Sequence, residues 1–82
     1  MLNQIYQQKI QLIQQGYRCV EYNDILEMFL TIDRNDEICF FDRNLTPILP
    51  MTTPVGITYE KTDDGYLITK GTYSFNYVTG ND

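Results

Sequence analysis

The residues best able to do chemistry in this chain are its carboxylates. It has eleven Asp and Glu residues, six Lys and Arg residues, no histidine and a net charge of −5. Seven of the acids and one base lie between residues 21 and 42, so that window carries −6. Three of these acids, Asp33, Asp36 and Glu37, fall within five positions. Such a cluster could transfer protons, bind a cation or contact a basic partner.

Proton transfer is the weakest of these three options. The commonest general base and zinc ligand, histidine, is missing, and the only serine is Ser74 in a predicted strand. A catalytic carboxylate needs a cleft that removes water, whereas a predicted hairpin tip is well solvated. The sequence therefore predicts a protein that is not an enzyme and has no catalytic residue.

A calcium loop is only partly matched. Residues 33–37 read D-x-N-x-E, like the start of an EF-hand loop. Ile38 replaces the glycine that should follow, and Asn44 stands where the bidentate glutamate belongs. We expect no metal site and no cofactor.

Two cysteines, Cys19 and Cys39, are expected to be reduced and mostly buried. A secreted domain of this size usually carries several disulfides, and the Gln-rich start lacks the features of a signal peptide. No apolar run approaches the length that spans a bilayer. The chain is thus predicted to be a single small domain, residues 1–82, in the cytoplasm.

The carboxylate cluster is predicted to lie on a β-hairpin formed by residues 25–43. Pairing Ile32 with Ile38 places a purely apolar set on one face: Leu26, Met28, Leu30, Ile32, Ile38 and Phe40. The other face mixes phenylalanines with acids. A competing interpretation begins a second helix at Asp24, because Asp24-x-x-Glu27 resembles a capping box.

The remaining segments predict one helix and further strands. Residues 2–15 have helical periodicity and end at Gly16, and residues 17–22 form a strand. Residues 44–56 hold all three prolines and are predicted to be an extended connection. Residues 57–61 and 66–70 flank an Asp-Gly hairpin signal, after which Gly71 is either a bulge or a second turn. We recognise no internal repeat.

The predicted fold is α+β, with an N-terminal helix packed on an antiparallel meander of four or five strands. The alternative has two helices and a sheet of three or four strands.

The predicted function is that of a small acidic protein-binding module, an inhibitor or adaptor that occludes a basic partner surface. Its contact surface is the mixed hairpin face, with Phe29 and Phe41 as apolar anchors. The charged rim comprises Glu27, Asp33, Asp36, Glu37 and Asp42. Direct contact with nucleic acid or membrane is not expected, because basic residues are scattered.

Two alternatives remain open from the sequence. In size and charge the chain resembles nucleic-acid-mimic inhibitors of phage or mobile-element type, such as anti-restriction and anti-CRISPR proteins. That resemblance implies a nucleic-acid-binding protein as the partner. The other alternative is a structural homo-oligomer subunit in which the mixed face forms a homodimer seam.

Overall fold

The protein has one helix and two antiparallel sheets in a computed structural model that describes residues 2–48 and 56–80. The chain divides into two compact units, Met1–Ile48 and Leu49–Asp82, which we describe separately. The predicted α+β class is confirmed. The first unit contains α1 (Leu2–Gln14), β1 (Arg18–Asn23), β2 (Met28–Ile32), β3 (Ile38–Phe41) and β4 (Pro47–Ile48). The second contains β5 (Ile57–Lys61), β6 (Gly65–Lys70) and β7 (Tyr73–Val78).

Helix α1 ends at Gln14, and Gly16 stops it, as predicted. The amide of Tyr17 donates to the carbonyl of Leu12 at 3.1 Å, and that of Gly16 donates to Ile13 at 3.0 Å. These two bonds form a Schellman motif, which needs a left-handed residue at Gly16 (φ 104°). The motif directs the chain from the helix into β1.

The first sheet is a four-stranded meander in the order β1-β2-β3-β4. Ile32 pairs with Ile38 and Phe29 with Phe41, so the predicted hairpin register is confirmed. Strand β1 carries a bulge between Arg18 and Glu21, where Cys19 has a φ of 52°. Residues 24–27 form a turn, and the alternative of a second helix beginning at Asp24 is therefore wrong.

The β2–β3 turn (residues 33–37) and the β3–β4 turn (residues 42–46) are two copies of one structure. Each begins with Asp-Arg-Asn, and in each the backbone amide of the aspartate donates to the carbonyl four residues on. The fourth residue has positive φ in both, 63° at Asp36 and 61° at Leu45. The shared turn is visible in the sequence, since Asp-Arg-Asn recurs nine positions apart.

Helix α1 packs on the sheet face that carries Phe29 and Phe41. Leu12 is fully buried against these two rings, and Ile5 packs at the edge of the same cluster. All five residues of β2 are buried, so apolar side chains occupy both faces of this strand. The mixed face is consequently part of the core of the first unit.

The second sheet is a three-stranded meander in the order β5-β6-β7. The question left open at Gly71 is answered by a two-residue turn, since Lys70 pairs with Tyr73. Gly65 starts β6 where an added Cβ would lie 1.9 Å from the carbonyl oxygen of Tyr77. Only glycine fits that approach.

The described strands number seven in two sheets, not four or five in one meander. One of the additional strands lies in the proline segment, where Pro47 and Ile48 form the short β4 and pair with Phe41 and Phe40. The rest of the predicted connection, residues 49–55, lies outside the described residues.

Candidate protein-binding site

The structure divides the predicted contact surface into three places. Glu27 and Asp42 lie at the end of the first sheet where β2 begins and β3 ends. Asp33, Asp36 and Glu37 lie in the β2–β3 turn at the opposite end, with Phe29 and Phe41 between them. The seven residues therefore do not form one patch.

Phe29 and Phe41 are buried, with exposures of 0% and 4%. The ring of Tyr17 meets Phe41 edge-on at 5.0 Å between centroids, and Tyr22 lies 4.9 Å from Phe29. The prediction that these rings are exposed anchors is wrong, because the apolar side of α1 covers them. Both faces of the hairpin are apolar enough to pack against a helix, and alternation alone does not distinguish them.

Two of the five predicted rim carboxylates hold turns in place. Asp33 Oδ1 accepts the amides of Asn35 (2.8 Å) and Glu37 (3.0 Å). Asp42 Oδ1 accepts those of Asn44 (2.8 Å) and Thr46 (2.9 Å). Such Asx-type bonds satisfy turn amides that would otherwise need water. Asp33 and Asp42 are therefore structural residues first.

The environment of Asp33 also perturbs its neighbour Cys39. The hydrogen bonds from the backbone of Glu37, and then Asn35, hold the pKa of the Asp33 carboxyl below its ordinary value. The Cys39 thiol donates to Asp33 Oδ2 at 3.7 Å. Burial first, and then the negative charge of Asp33, raise the pKa of Cys39 to about 11. A thiol held protonated in this way is a poor nucleophile and a poor metal ligand.

Arginines reduce the negative charge at the β2–β3 turn. Arg18 forms an ion pair with Asp36, both side chains being well exposed. The guanidinium of Arg34 lies over Gly16 at the carboxyl end of α1, where a cation is favoured. These two arginines offset two of the three acids, Asp33, Asp36 and Glu37.

The opposite end of the sheet presents a site that the sequence analysis did not identify. In the β1–β2 turn (residues 24–27), Asn23 Oδ1 accepts the amides of Ile25 (3.0 Å) and Leu26 (2.9 Å). Asn23 and Leu26 are buried, with exposures of 7% and 3%. Ile25 itself is 57% exposed. An apolar side chain therefore projects from a turn that is held by the Asn23 hydrogen bonds and by the buried Leu26.

Carboxylates surround Ile25 along the chain. Asp24 and Glu27 are its neighbours in the turn, and Glu21 lies on β1 just before it. All three are exposed, and within the described part of the chain no hydrogen bond or ion pair involves their carboxylates. The signal was available in the sequence: Asn-Asp marks a turn, and an isoleucine inside a turn has no strand face to join.

A depression of about 210 Å³ lies beside the carboxyl end of α1, lined by Gln15, Gly16, Tyr17, Asp33, Arg34 and Asn35. Its single carboxylate, Asp33, already accepts two backbone amides. Residues 2–48 and 56–80 bring together no group of three or more potential metal ligands. Their one helix, α1, is not long and apolar enough to cross a bilayer.

Comparisons with protein-family models, curated protein sequences and solved structures give no match to this chain. Its function must be inferred from its own residues.

Proposed function

We propose that the protein is a non-enzymatic binding module that occludes a basic surface of a partner protein, with the β1–β2 turn as its contact. Ile25 is the apolar anchor, and Glu21, Asp24 and Glu27 form the charged rim. The proposal keeps the predicted combination of an apolar anchor and a charged rim. It assigns that combination to the β1–β2 turn in place of the mixed face of the β2–β3 hairpin.

The observation that supports this proposal is the exposed Ile25 between two carboxylates that have no hydrogen bond or ion pair within residues 2–48 and 56–80. An isoleucine in a turn loses the stability it would gain from burial, about 1.5–3 kcal/mol for a side chain of this kind. A binding surface recovers that free energy when a partner covers the side chain. Interfaces commonly combine such a central anchor with a charged rim that directs the approach of the partner.

The fixed geometry of the turn supports the same function. Asn23 Oδ1 accepts hydrogen bonds from the amides of Ile25 and Leu26, and the Leu26 side chain is buried. A contact residue that is already held in place loses little conformational entropy on binding. The turn is therefore suited to insert Ile25 into a shallow apolar pocket bordered by Lys or Arg.

The test begins by immobilising the full chain, capturing proteins from the native host and labelling the captured partner for stopped-flow measurements. Two matched pairs of variants locate the contact. Ile25→Ala is compared with Ile13→Ala, because Ile13 on α1 has nearly the same exposure, 55%. The double change Asp24→Lys/Glu27→Lys is compared with Glu60→Lys/Asp63→Lys, which alters the net charge equally in the second unit.

The expected result separates the two parts of the contact. Ile25→Ala should speed dissociation about tenfold, the effect of losing about 1.4 kcal/mol of anchor binding. The Asp24/Glu27 reversal should slow association at least tenfold at low salt and less at high salt. The matched controls should change neither rate by more than about twofold.

Equal effects within each matched pair would refute this contact site. The nucleic-acid-mimic alternative would be favoured if only the Asp24/Glu27 reversal weakened binding and if duplex DNA competed with the protein for the partner. A phosphate row offers no apolar anchor, so Ile25→Ala should then have no effect.

A further inference from the structure

Strand β7 is an edge of the second sheet and differs from every other edge strand in the described part of the chain. The other edges carry features that discourage a further strand. Strand β1 has a bulge and two charged residues, β4 has two residues and begins with Pro47, and β5 ends with Glu60 and Lys61. Strand β7 reads YSFNYV, with six residues and neither a charge, a proline nor a glycine.

The register determines which backbone groups of β7 point away from the sheet. A two-residue turn makes Lys70 and Tyr73 a hydrogen-bonded pair, so the odd-numbered residues of β7 bond to β6. Thr79 continues this set, since its amide donates to the Asp64 carbonyl at 3.0 Å. The amides and carbonyls of Ser74, Asn76 and Val78 therefore point outward.

The three outward residues are all exposed, and Val78 keeps 58% of its surface open to solvent. Their side chains share the sheet face opposite Tyr66, Ile68 and Tyr77. The residues whose backbone groups point outward are thus the solvent-exposed residues of β7.

We propose that β7 is a homodimer seam, in which two copies of the chain pair their β7 strands antiparallel about a two-fold axis at Asn76. In this register Ser74 lies opposite Val78 of the second copy, and Asn76 lies opposite its own counterpart. Each outward amide then faces an outward carbonyl of the second copy, which gives about six hydrogen bonds. Phe75 lies across from Tyr77 of the second copy, a favourable aromatic pair.

The absence of charged residues from β7 lets a second copy pair at this edge although the protein as a whole is acidic. The chain carries −5, so most approaches of two copies are repulsive. The proposed register brings no charged residue opposite another. The seam is also small: it pairs one strand of six residues, about 20 Å long, from each copy. A stable interface buries roughly 800 Å² on each partner, which takes about 20–30 residues a side. The dimer is therefore weak, and added salt should strengthen it.

The experiment measures mass and amide exchange in the full wild-type chain over a concentration series up to about 1 mM. Sedimentation should show the 9.7 kDa chain shifting toward twice that mass as concentration rises. Hydrogen exchange should show the amides of Ser74, Asn76 and Val78 slowing at least tenfold over the same series. Those of Phe75 and Tyr77, already bonded within the sheet, should change less.

A matched pair of variants tests the register. Asn76→Lys places two like charges directly opposite each other on the two-fold axis. Thr58→Lys adds the same charge to an exposed residue of β5 on the same face of the sheet. Asn76→Lys should weaken the dimer at least tenfold, and Thr58→Lys by less than about twofold.

Three results would overturn the proposal. A monomer at every concentration would refute self-association, and equal weakening by both variants would place the seam elsewhere. Hydrogen exchange in the wild-type chain that slowed with concentration at other amides, but not at Ser74, Asn76 and Val78, would also place the seam elsewhere. None of these results depends on the β1–β2 turn, so the proposed function is tested separately.

Discussion

Replacing Asn23 by alanine tests whether one buried side chain holds the turn that carries Ile25. Asn23 accepts two backbone amides, and each bond contributes about 1 kcal/mol to the free energy of unfolding. Asn23→Ala should therefore lower that free energy by about 2 kcal/mol. With an m-value of about 1 kcal/mol/M, the urea midpoint falls by about 2 M. The melting temperature falls by about 8–16 °C.

Asn35→Ala is the matched control, because the same side chain is removed from an exposed position. Its effect should stay within about 0.5 kcal/mol. A urea midpoint for Asn23→Ala no lower than that of Asn35→Ala would refute the role assigned to Asn23. It would also show that Asn23 does not hold Ile25 in place before binding.

Phe29→Ala should lower the free energy of unfolding by about 3–5 kcal/mol in urea titrations, because the ring is fully buried; wild-type stability would contradict its place in the core. Since the pKa of Cys39 is raised to about 11, only about one thiol in a thousand is ionised at pH 8. Native protein should then react with a disulfide reagent far more slowly at Cys39 than urea-unfolded protein does, and equal rates would show that the thiol is not shielded. The pKa of Asp33 is lowered on folding, so its stabilising effect is present above the unfolded value and is lost as the pH falls through the folded one. Asp33→Asn should therefore destabilise the protein at pH 7 and have progressively less effect on acidification, and a pH-independent difference in melting temperature would contradict this.

The hairpin could be predicted in detail because its signals are local. Alternation and the turn residues set the register in which Ile32 pairs with Ile38. Gly16 marked the end of α1 in the same way, through a left-handed backbone that glycine adopts at low cost. Each of these features depends on residues close together in the chain.

The candidate site could not be predicted to the same extent, because it depends on which sheet face the helix covers. Phe29 and Leu30 are both fully buried neighbours on β2, so burial does not distinguish the face that α1 covers from the opposite one. The role of each carboxylate is also not predictable from its residue type. Asp33 and Glu37 are both acids of the same turn, yet of the two only Asp33 accepts turn amides. Ile25 was placed in a predicted strand, where an isoleucine is unremarkable.

The order of the strands has a consequence for the speed of folding. Every strand pairing in the described residues joins neighbours along the chain, β1 to β4 in one sheet and β5 to β7 in the other. Each pairing therefore closes a loop of only a few residues, and the entropy lost at each step is small. A β-rich protein with such low contact order should fold faster than Greek-key sandwiches of similar size. Each Asp-Arg-Asn turn can form before any distant contact, so the first sheet can assemble one hairpin at a time, with the docking of α1 on Phe29 and Phe41 as its one long-range step.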